Sequence, residues 1–240
     1  MKKMLNLAYF RIFGYVLTLT MHIGNTIVSK MALRGEIMND PDIRNMAAME
    51  YCYFTVWNIA FQMLYAAFGL YCDVKSLKNG NDQDKTLSKY IEYRRQFFGT
   101  VVWPSTMLTV TIFWPIFLYD RELLFPEFID RVFSKYTNYI MHGAILPVVL
   151  WEMVFLPRGV PRSHRKSLIY INYIFVAYFA WISYVNATSG LWPYAILHQL
   201  KGIYLPCFFL LANFLLHLHY FTQWPIVRFV WGNIHDVKSS

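Results

Sequence analysis

Along this chain, apolar runs of about 20 residues alternate with short polar punctuations, and about 20 is the number a helix needs to cross a bilayer's hydrocarbon core. The runs fall at 8–29, 48–72, 97–118, 135–156, 168–188 and 203–224. Between them stand RGEIMNDPDIRN, DVKSLKNGNDQDKTLSKYIEYRR, YDRELLFPEFIDR, PRGVPRSHRK and SGLWPYAILHQLKG. In lipid, backbone N–H and C=O groups must be satisfied within the element that carries them, so the runs are read as helices. The pattern predicts an all-α fold: a polytopic membrane bundle of six transmembrane helices, one domain over residues 1–240. The stretch Ile12 to Ser29 is too long for the apolar part of a secretory leader and lacks a small-residue cleavage site. It is expected to be a retained helix.

Composition agrees: 57% of residues are hydrophobic and only 15% charged, against roughly 25% charged in soluble domains. The net charge of +8 invites a nucleic-acid reading, but the basic residues are scattered through short loops and form no continuous patch. Their distribution sets orientation instead. With six crossings, 15 of the 22 Lys and Arg fall on one side and 7 on the other, which puts both termini in the cytosol. Trp103, Trp192, Tyr194 and Trp224 sit near run ends, as residues of an interfacial belt would. Endoplasmic reticulum and plasma membrane are equally open, since the terminal HDVKSS is not a convincing retrieval signal. The three cysteines, Cys52, Cys72 and Cys207, share no CxxC spacing and are expected to be small core residues.

Polar side chains inside apolar runs are costly and mark sites by default. Thr55, Asn58 and Gln62 are spaced by three and four residues and form one stripe on the second run. Asn138 and His142, four apart, stack on one face of the fourth. Thr55 and His142 each lie about eight residues from the outer end of their runs, roughly 12 Å deep at about 1.5 Å per residue. With His22 and Asn25 from the first run, they are expected to line one outward-opening pocket. A hydrogen-bonded helix interface would use the same residue types, and spacing alone leaves the two readings open.

If the pocket is catalytic, a neutral His is the natural base for a Thr hydroxyl, and an amide such as Asn58 is a donor for a developing oxyanion. No Asp or Glu lies at that depth to orient the base. Glu152 is expected to pair with a loop cation, Arg158 for example. The HLH at 217–219 is a weak metal candidate, because i and i+2 on a helix diverge. One of that pair could still join His142, His198 or His22. With no HExxH-like pattern, no metal or other cofactor is expected. GxxxxGK[ST], GxGxxG and GxSxG are absent, so nucleotide binding and the α/β-hydrolase route have no support.

YFTVWNIAFQMLYAAF at 53–68, FWPIFLYDRELLFPEFIDRVFSKYTNYIMHGAILPVVLWEM at 113–153 and GLWPYAILHQL at 190–200 resemble the androgen-induced-gene family of membrane proteins. The resemblance implies a six-span bundle with cytosolic termini and an atypical threonine hydrolase of fatty acid esters of hydroxy fatty acids. It puts the nucleophile on Thr55 and the general base on His142, leaving Asn58, Gln62, Asn138 and Asn25 as pocket or oxyanion candidates. The implied partners are a lipid ester substrate and membrane lipids, with neither nucleic acid nor metal. Related sequences read NHxMHT where this chain has Tyr139 and Gly143, and some have Asp at Asn58. Gly143, beside the base, is expected to widen the pocket. A non-catalytic lipid-binding regulator or a small-solute transporter is the alternative. Internal repeats and broken helices in matching positions, usual in transporters, are not visible.

Overall fold

The computed structural model describes residues 2–79 and 84–232. Expectations about the terminal HDVKSS and Lys238 lie outside the described residues. Among those described there are helices and turns but no β-strand. The helices are α1 (Lys2–Ala32), α2 (Pro41–Ala48), α3 (Phe54–Asn79), α4 (Lys85–Phe97) and α5 (Trp103–Tyr119). They continue with α6 (Lys135–His142), α7 (Ile145–Phe155), α8 (Arg165–Ser189), α9 (Ala195–Gln199) and α10 (Tyr204–Trp231).

Five helical stretches are long and apolar enough to cross a membrane: Leu7–Ala32, Lys85–Tyr119, Lys135–Phe155, Arg165–Ser189 and Tyr204–Trp231. The expected second span, 48–72, is not one of them. Its first residues go into α2, capped by Asp40, and a 3-10 turn at Glu50–Cys52, so α3 begins only at Phe54. Along α3 the polar residues Thr55, Asn58, Gln62 and Asp73 are buried inside the protein. This helix packs against α1, α4, α5 and α6, so protein rather than lipid surrounds its polar faces. A helix in that position needs no uniformly apolar surface.

Two other spans are reshaped by proline. A single π turn, Phe98–Val102, joins α4 to α5 just before Pro104, which has no N–H for the Thr100 carbonyl and would clash with it. The fourth span breaks between α6 and α7 for the same reason. Pro147 cannot bond the Gly143 carbonyl, which accepts instead from Leu146 N at 3.1 Å, while Gly143 N and Ala144 N both turn to Tyr139 O. Helix α8 ends at Gly190, whose φ of +73° suits a residue without Cβ.

The largest core joins Tyr15, Tyr65, Phe98, Trp103, Val149, Met153, Leu216 and Tyr220. Trp103 and Trp224 are buried within the bundle, and the Trp103 indole donates to His219 O at 2.9 Å. Cys52 and Cys72 are buried as expected, but Cys207 is exposed. Beneath this core lies a buried ionic cluster. Arg11 grips Asp73 with Nε and Nη2, both at 2.8 Å, and Arg94 Nη1 approaches the same carboxylate at 3.0 Å. Glu152 does not pair with Arg158. Its Oε1 accepts from the Tyr15 hydroxyl at 2.9 Å and from the Tyr65 hydroxyl, while Arg158 donates to Arg95 O and Gln223 Oε1. Helices α1, α3, α4 and α7 are thereby tied together through polar side chains whose removal one at a time would leave buried charge.

Candidate active site

Thr55 stands in the first turn of α3, and His142 is the last residue of α6. The depth expected for Thr55 therefore needs correcting: it is one residue, not about eight, inside its helix. The two meet because α3 starts late, behind α2 and the 3-10 turn, whereas α6 starts at Lys135 with Ser134 as its cap. Thr55 Oγ1 lies 3.1 Å from His142 Nε2. Both residues are buried.

The other ring nitrogen fixes the tautomer. His142 Nδ1 faces the Asn138 backbone carbonyl at 3.2 Å and Asn138 Oδ1 at 2.7 Å. A carbonyl can only accept, so the proton sits on Nδ1 and the lone pair of Nε2 faces Thr55. The hydroxyl then donates to Nε2, the arrangement a general base requires. Asn138 is the orienter that no carboxylate supplied. It was legible as a residue on the same helix face, but not in that role.

Aromatic rings hold the imidazole in place. Phe113 stacks on it with centroids 3.5 Å apart and planes 5° from parallel, and Phe125 meets it edge-on at 6.5 Å. Trp114 Nε1 donates to His142 O at 3.0 Å, where the helix ends. At Gly143 a Cβ would lie 2.9 Å from Tyr139 O and 3.7 Å from the Trp114 ring. It would point along its own helix, and Gly143 is not part of the wall around Thr55. Its smallness serves the helix break rather than the width of the pocket.

One turn along α3, Asn58 Oδ1 accepts from Thr106 Oγ1 at 2.9 Å. Thr106 in turn accepts from Gln62 Nε2 at 2.9 Å, which also reaches Ile145 O at 3.2 Å. Gln62 Oε1 accepts from His22 Nε2 at 3.0 Å. This chain of fixed dipoles turns the Asn58 amide so that its Nδ2 is left buried and without a hydrogen-bond partner. A fully buried amide donor with nothing to bind is unusual and demands an explanation. Asn25 is not brought into this group; it lines a separate cavity with Lys30, Glu50 and Met141.

Two spaces flank the pair. Thr55 lies in the wall of an apolar cavity of about 90 Å³, with Leu108, Ile112, Phe113, Phe175 and Phe209 around it. Asn138 lies instead in a polar depression with Arg121, Asp130, Ser134 and Lys135. Tyr194 closes the first space; its hydroxyl accepts from Phe54 N at 2.8 Å and so occupies the positive start of α3. Thr106, Phe113 and Tyr194 were missed in the sequence. Applying to residues 105–111 the rule used on the other runs, that polar residues in apolar helices mark sites, would have flagged Thr106. The histidines of HLH diverge: His217 meets Asn172 at 3.0 Å and His219 meets Thr111 at 3.0 Å. Among the described residues no three His, Cys, Asp or Glu converge as metal ligands.

Comparison with known proteins adds a family. The model of FAR-17a/AIG1-like proteins matches residues 11–224. The androgen-dependent TFPI-regulating protein of Homo sapiens is 28% identical over 190 residues, covering 78% of this chain and 80% of that protein. The androgen-induced gene 1 protein of Homo sapiens is 26% identical over 192 residues, with the same coverage of 78% and 80%. A membrane protein of Schizosaccharomyces pombe is 25% identical over 177 residues, 73% of this chain and 74% of its own length. No solved structure matches.

Proposed function

This chain belongs to the FAR-17a/AIG1-like family, and from the geometry at Thr55 we propose that it is a membrane-embedded hydrolase of lipid esters. The observation that carries the reading is the 3.1 Å contact from Thr55 Oγ1 to His142 Nε2, with Nδ1 held by Asn138. In this reading Nε2 takes the hydroxyl proton as Oγ1 bonds to the ester carbon, and the carbonyl electron pair moves onto oxygen. Asn58 Nδ2 is the donor for that oxyanion. Collapse expels the alcohol oxygen, which takes the proton back from Nε2. Water from the side of Asn138 then repeats the sequence on the acyl-threonine, releasing the acid and restoring Thr55. As His142 becomes cationic, the face of Phe113 lies against it.

The apolar cavity beside Thr55 suits an acyl chain, and the resemblance to androgen-induced-gene proteins makes fatty acid esters of hydroxy fatty acids the preferred substrates. We take α3 as a sixth crossing and both termini as cytosolic, so the pair faces the outer or lumenal side of the plasma membrane or endoplasmic reticulum. No step calls for a metal or organic cofactor.

Expressing Thr55→Ala and His142→Ala at wild-type levels and assaying ester hydrolysis tests the assignment; turnover retained by either variant would sink it. Labelling by a fluorophosphonate probe, lost on changing Thr55, separates catalysis from the second reading. A non-catalytic lipid-binding regulator would have the same apolar cavity, which is the observation in its favour, but would not be labelled.

A further inference from the structure

Farther along α3 lies a cavity that the chemistry at Thr55 does not use. It measures about 190 Å³ and is enclosed by residues of α1, α3, α7 and the π turn. Phe13 and Leu17 belong to its wall and are exposed on the face of α1, so its mouth is on the outside of the bundle. Trp151 lies across α1 there; a Cβ at Gly14 would sit 2.6 Å from its ring nitrogen.

Nearly every polar side-chain atom in the wall is already committed. Thr18 Oγ1 donates to Gly14 O at 2.7 Å. Gln62 is bonded through both its oxygen and its nitrogen. The hydroxyls of Tyr15 and Tyr65 both donate to Glu152 Oε1. That leaves Glu152 Oε2, which is buried and has no hydrogen-bond partner, on a residue only 3% exposed. An orphan carboxylate oxygen beside an otherwise apolar space is an acceptor waiting for a donor.

The chemistry of that donor can be narrowed. Water needs two to four polar partners to be held in a cavity, and this wall offers one free side-chain atom. A second acid would face Glu152 with like charge. An ammonium would add a third buried cation beside Arg11 and Arg94, which already share the carboxylate of Asp73. A neutral hydroxyl at the end of a hydrocarbon meets every condition: one donor for Oε2 and apolar surface for Val102, Pro147 and Val149. At about 190 Å³ the cavity holds the hydroxyl end of a single chain and not a fused ring system.

We propose that this cavity is a second lipid site, which binds the hydroxyl of a single-chain membrane alcohol at Glu152 with its hydrocarbon directed outward between α1 and α7. The proposal does not rest on the hydrolase reading. Its test uses the full chain in phosphatidylcholine vesicles with a photoreactive, clickable long-chain alcohol, and the methyl ether of the same chain as the donor-free control. The alcohol should label peptides of α1 and α7 at least about fivefold more than the ether, the scale of one net hydrogen bond. Val148→Trp, which fills the cavity and leaves the ionic cluster alone, should remove that labelling. Glu152→Met should bring alcohol and ether to the same level wherever it folds. Thr55→Ala, which stops hydrolysis in the proposed mechanism, should leave this labelling as it is in the wild type. Equal labelling by alcohol and ether in the wild type, persistence in Val148→Trp, or loss in Thr55→Ala would each overturn the site.

Discussion

Two threonine–histidine pairs lie inside this bundle, Thr55 with His142 at 3.1 Å and Thr111 with His219 at 3.0 Å. By residue type and distance they are twins. Their hydrogen bonds run in opposite directions. Thr111 Oγ1 donates its single proton to the carbonyl of Met107 at 2.8 Å, so toward His219 it can only accept. His219 Nε2 must then carry the proton, and its Nδ1 is buried without a partner. At His142 the carbonyl of Asn138 claims the Nδ1 proton, and Nε2 is left as the acceptor. One pair is poised to move a proton from hydroxyl to ring; the other is a helix fastener between α5 and α10. Proximity of Thr and His is therefore uninformative until the second nitrogen and the hydroxyl's other partner are known.

The largest effect expected is at the first pair. Thr55→Ala and His142→Ala should each lower kcat/KM by at least about 10³-fold, since loss of a nucleophile or its base removes most of the covalent route. The double variant should be no worse than either single one, as residues that act as a unit are not additive. Thr111→Val and His219→Phe should stay within about threefold of wild type, the range of surface-neutral packing changes on a site they do not touch. Comparable losses at both pairs, measured as initial rates at matched expression, would break the distinction drawn from hydrogen-bond direction.

Asn138 is what makes the first pair different, so its loss should come next. Asn138→Leu removes the 2.7 Å side-chain acceptor and leaves Nδ1 only the Asn138 backbone carbonyl at 3.2 Å; it should reduce kcat by up to about 10²-fold, the usual worth of a correctly presented base, with KM little changed. Asn138→Asp keeps an acceptor at Nδ1 and should restore most of the rate while shifting the acid limb of the pH–kcat profile toward higher pH, because the carboxylate favours the imidazolium and the base is lost to protonation sooner. A profile that overlays that of the wild type would reduce Asn138 to packing. The unpartnered Asn58 amide invites a parallel test. Asn58→Ala should cost about 10²-fold in kcat if Nδ2 meets the oxyanion, and an unchanged kcat would remove it from that role.

What could be seen in the chain beforehand follows from the range of each interaction. Helical spans are written in local hydropathy, and five of the six expected stretches are recovered. The face shared by Asn138 and His142, and the stripe of Thr55, Asn58 and Gln62, are local too. Their meeting across 87 residues is not, and neither is the use of Tyr15 and Tyr65 by Glu152, so a nearby arginine was the natural but mistaken choice. The second span is not among those recovered, for an instructive reason. Its polar residues are the site, and the same residues that mark the chemistry make α3 too polar to resemble a lipid-facing helix. Pro147 was visible, but its effect on α6 depends on which carbonyl it leaves without a donor. The direction of the hydrogen bond at His219 depends on a back-bond from Thr111 that no spacing rule announces.

The smallest effect is at the second pair, and it concerns stability. Thr111→Val removes the acceptor of the His219 Nε2 proton while keeping the shape of the side chain. If Thr111 is a fastener, the cost should be about 1 kcal/mol, the usual value of a side-chain hydrogen bond between membrane helices. Such a loss should appear as a lowered unfolding midpoint in detergent with unchanged hydrolysis. Thr111→Ser should recover the midpoint, because its hydroxyl can make the same back-bond to Met107 and still accept from His219. Recovery of stability by Ser with activity untouched in both variants is the outcome the geometry requires. A fall in hydrolysis in Thr111→Val with no change in the midpoint would instead mean that α5 transmits the state of His219 to Thr106, five residues earlier on the same helix, and thence to the Asn58 amide; the two pairs would then be one coupled network rather than a working site and a fastener.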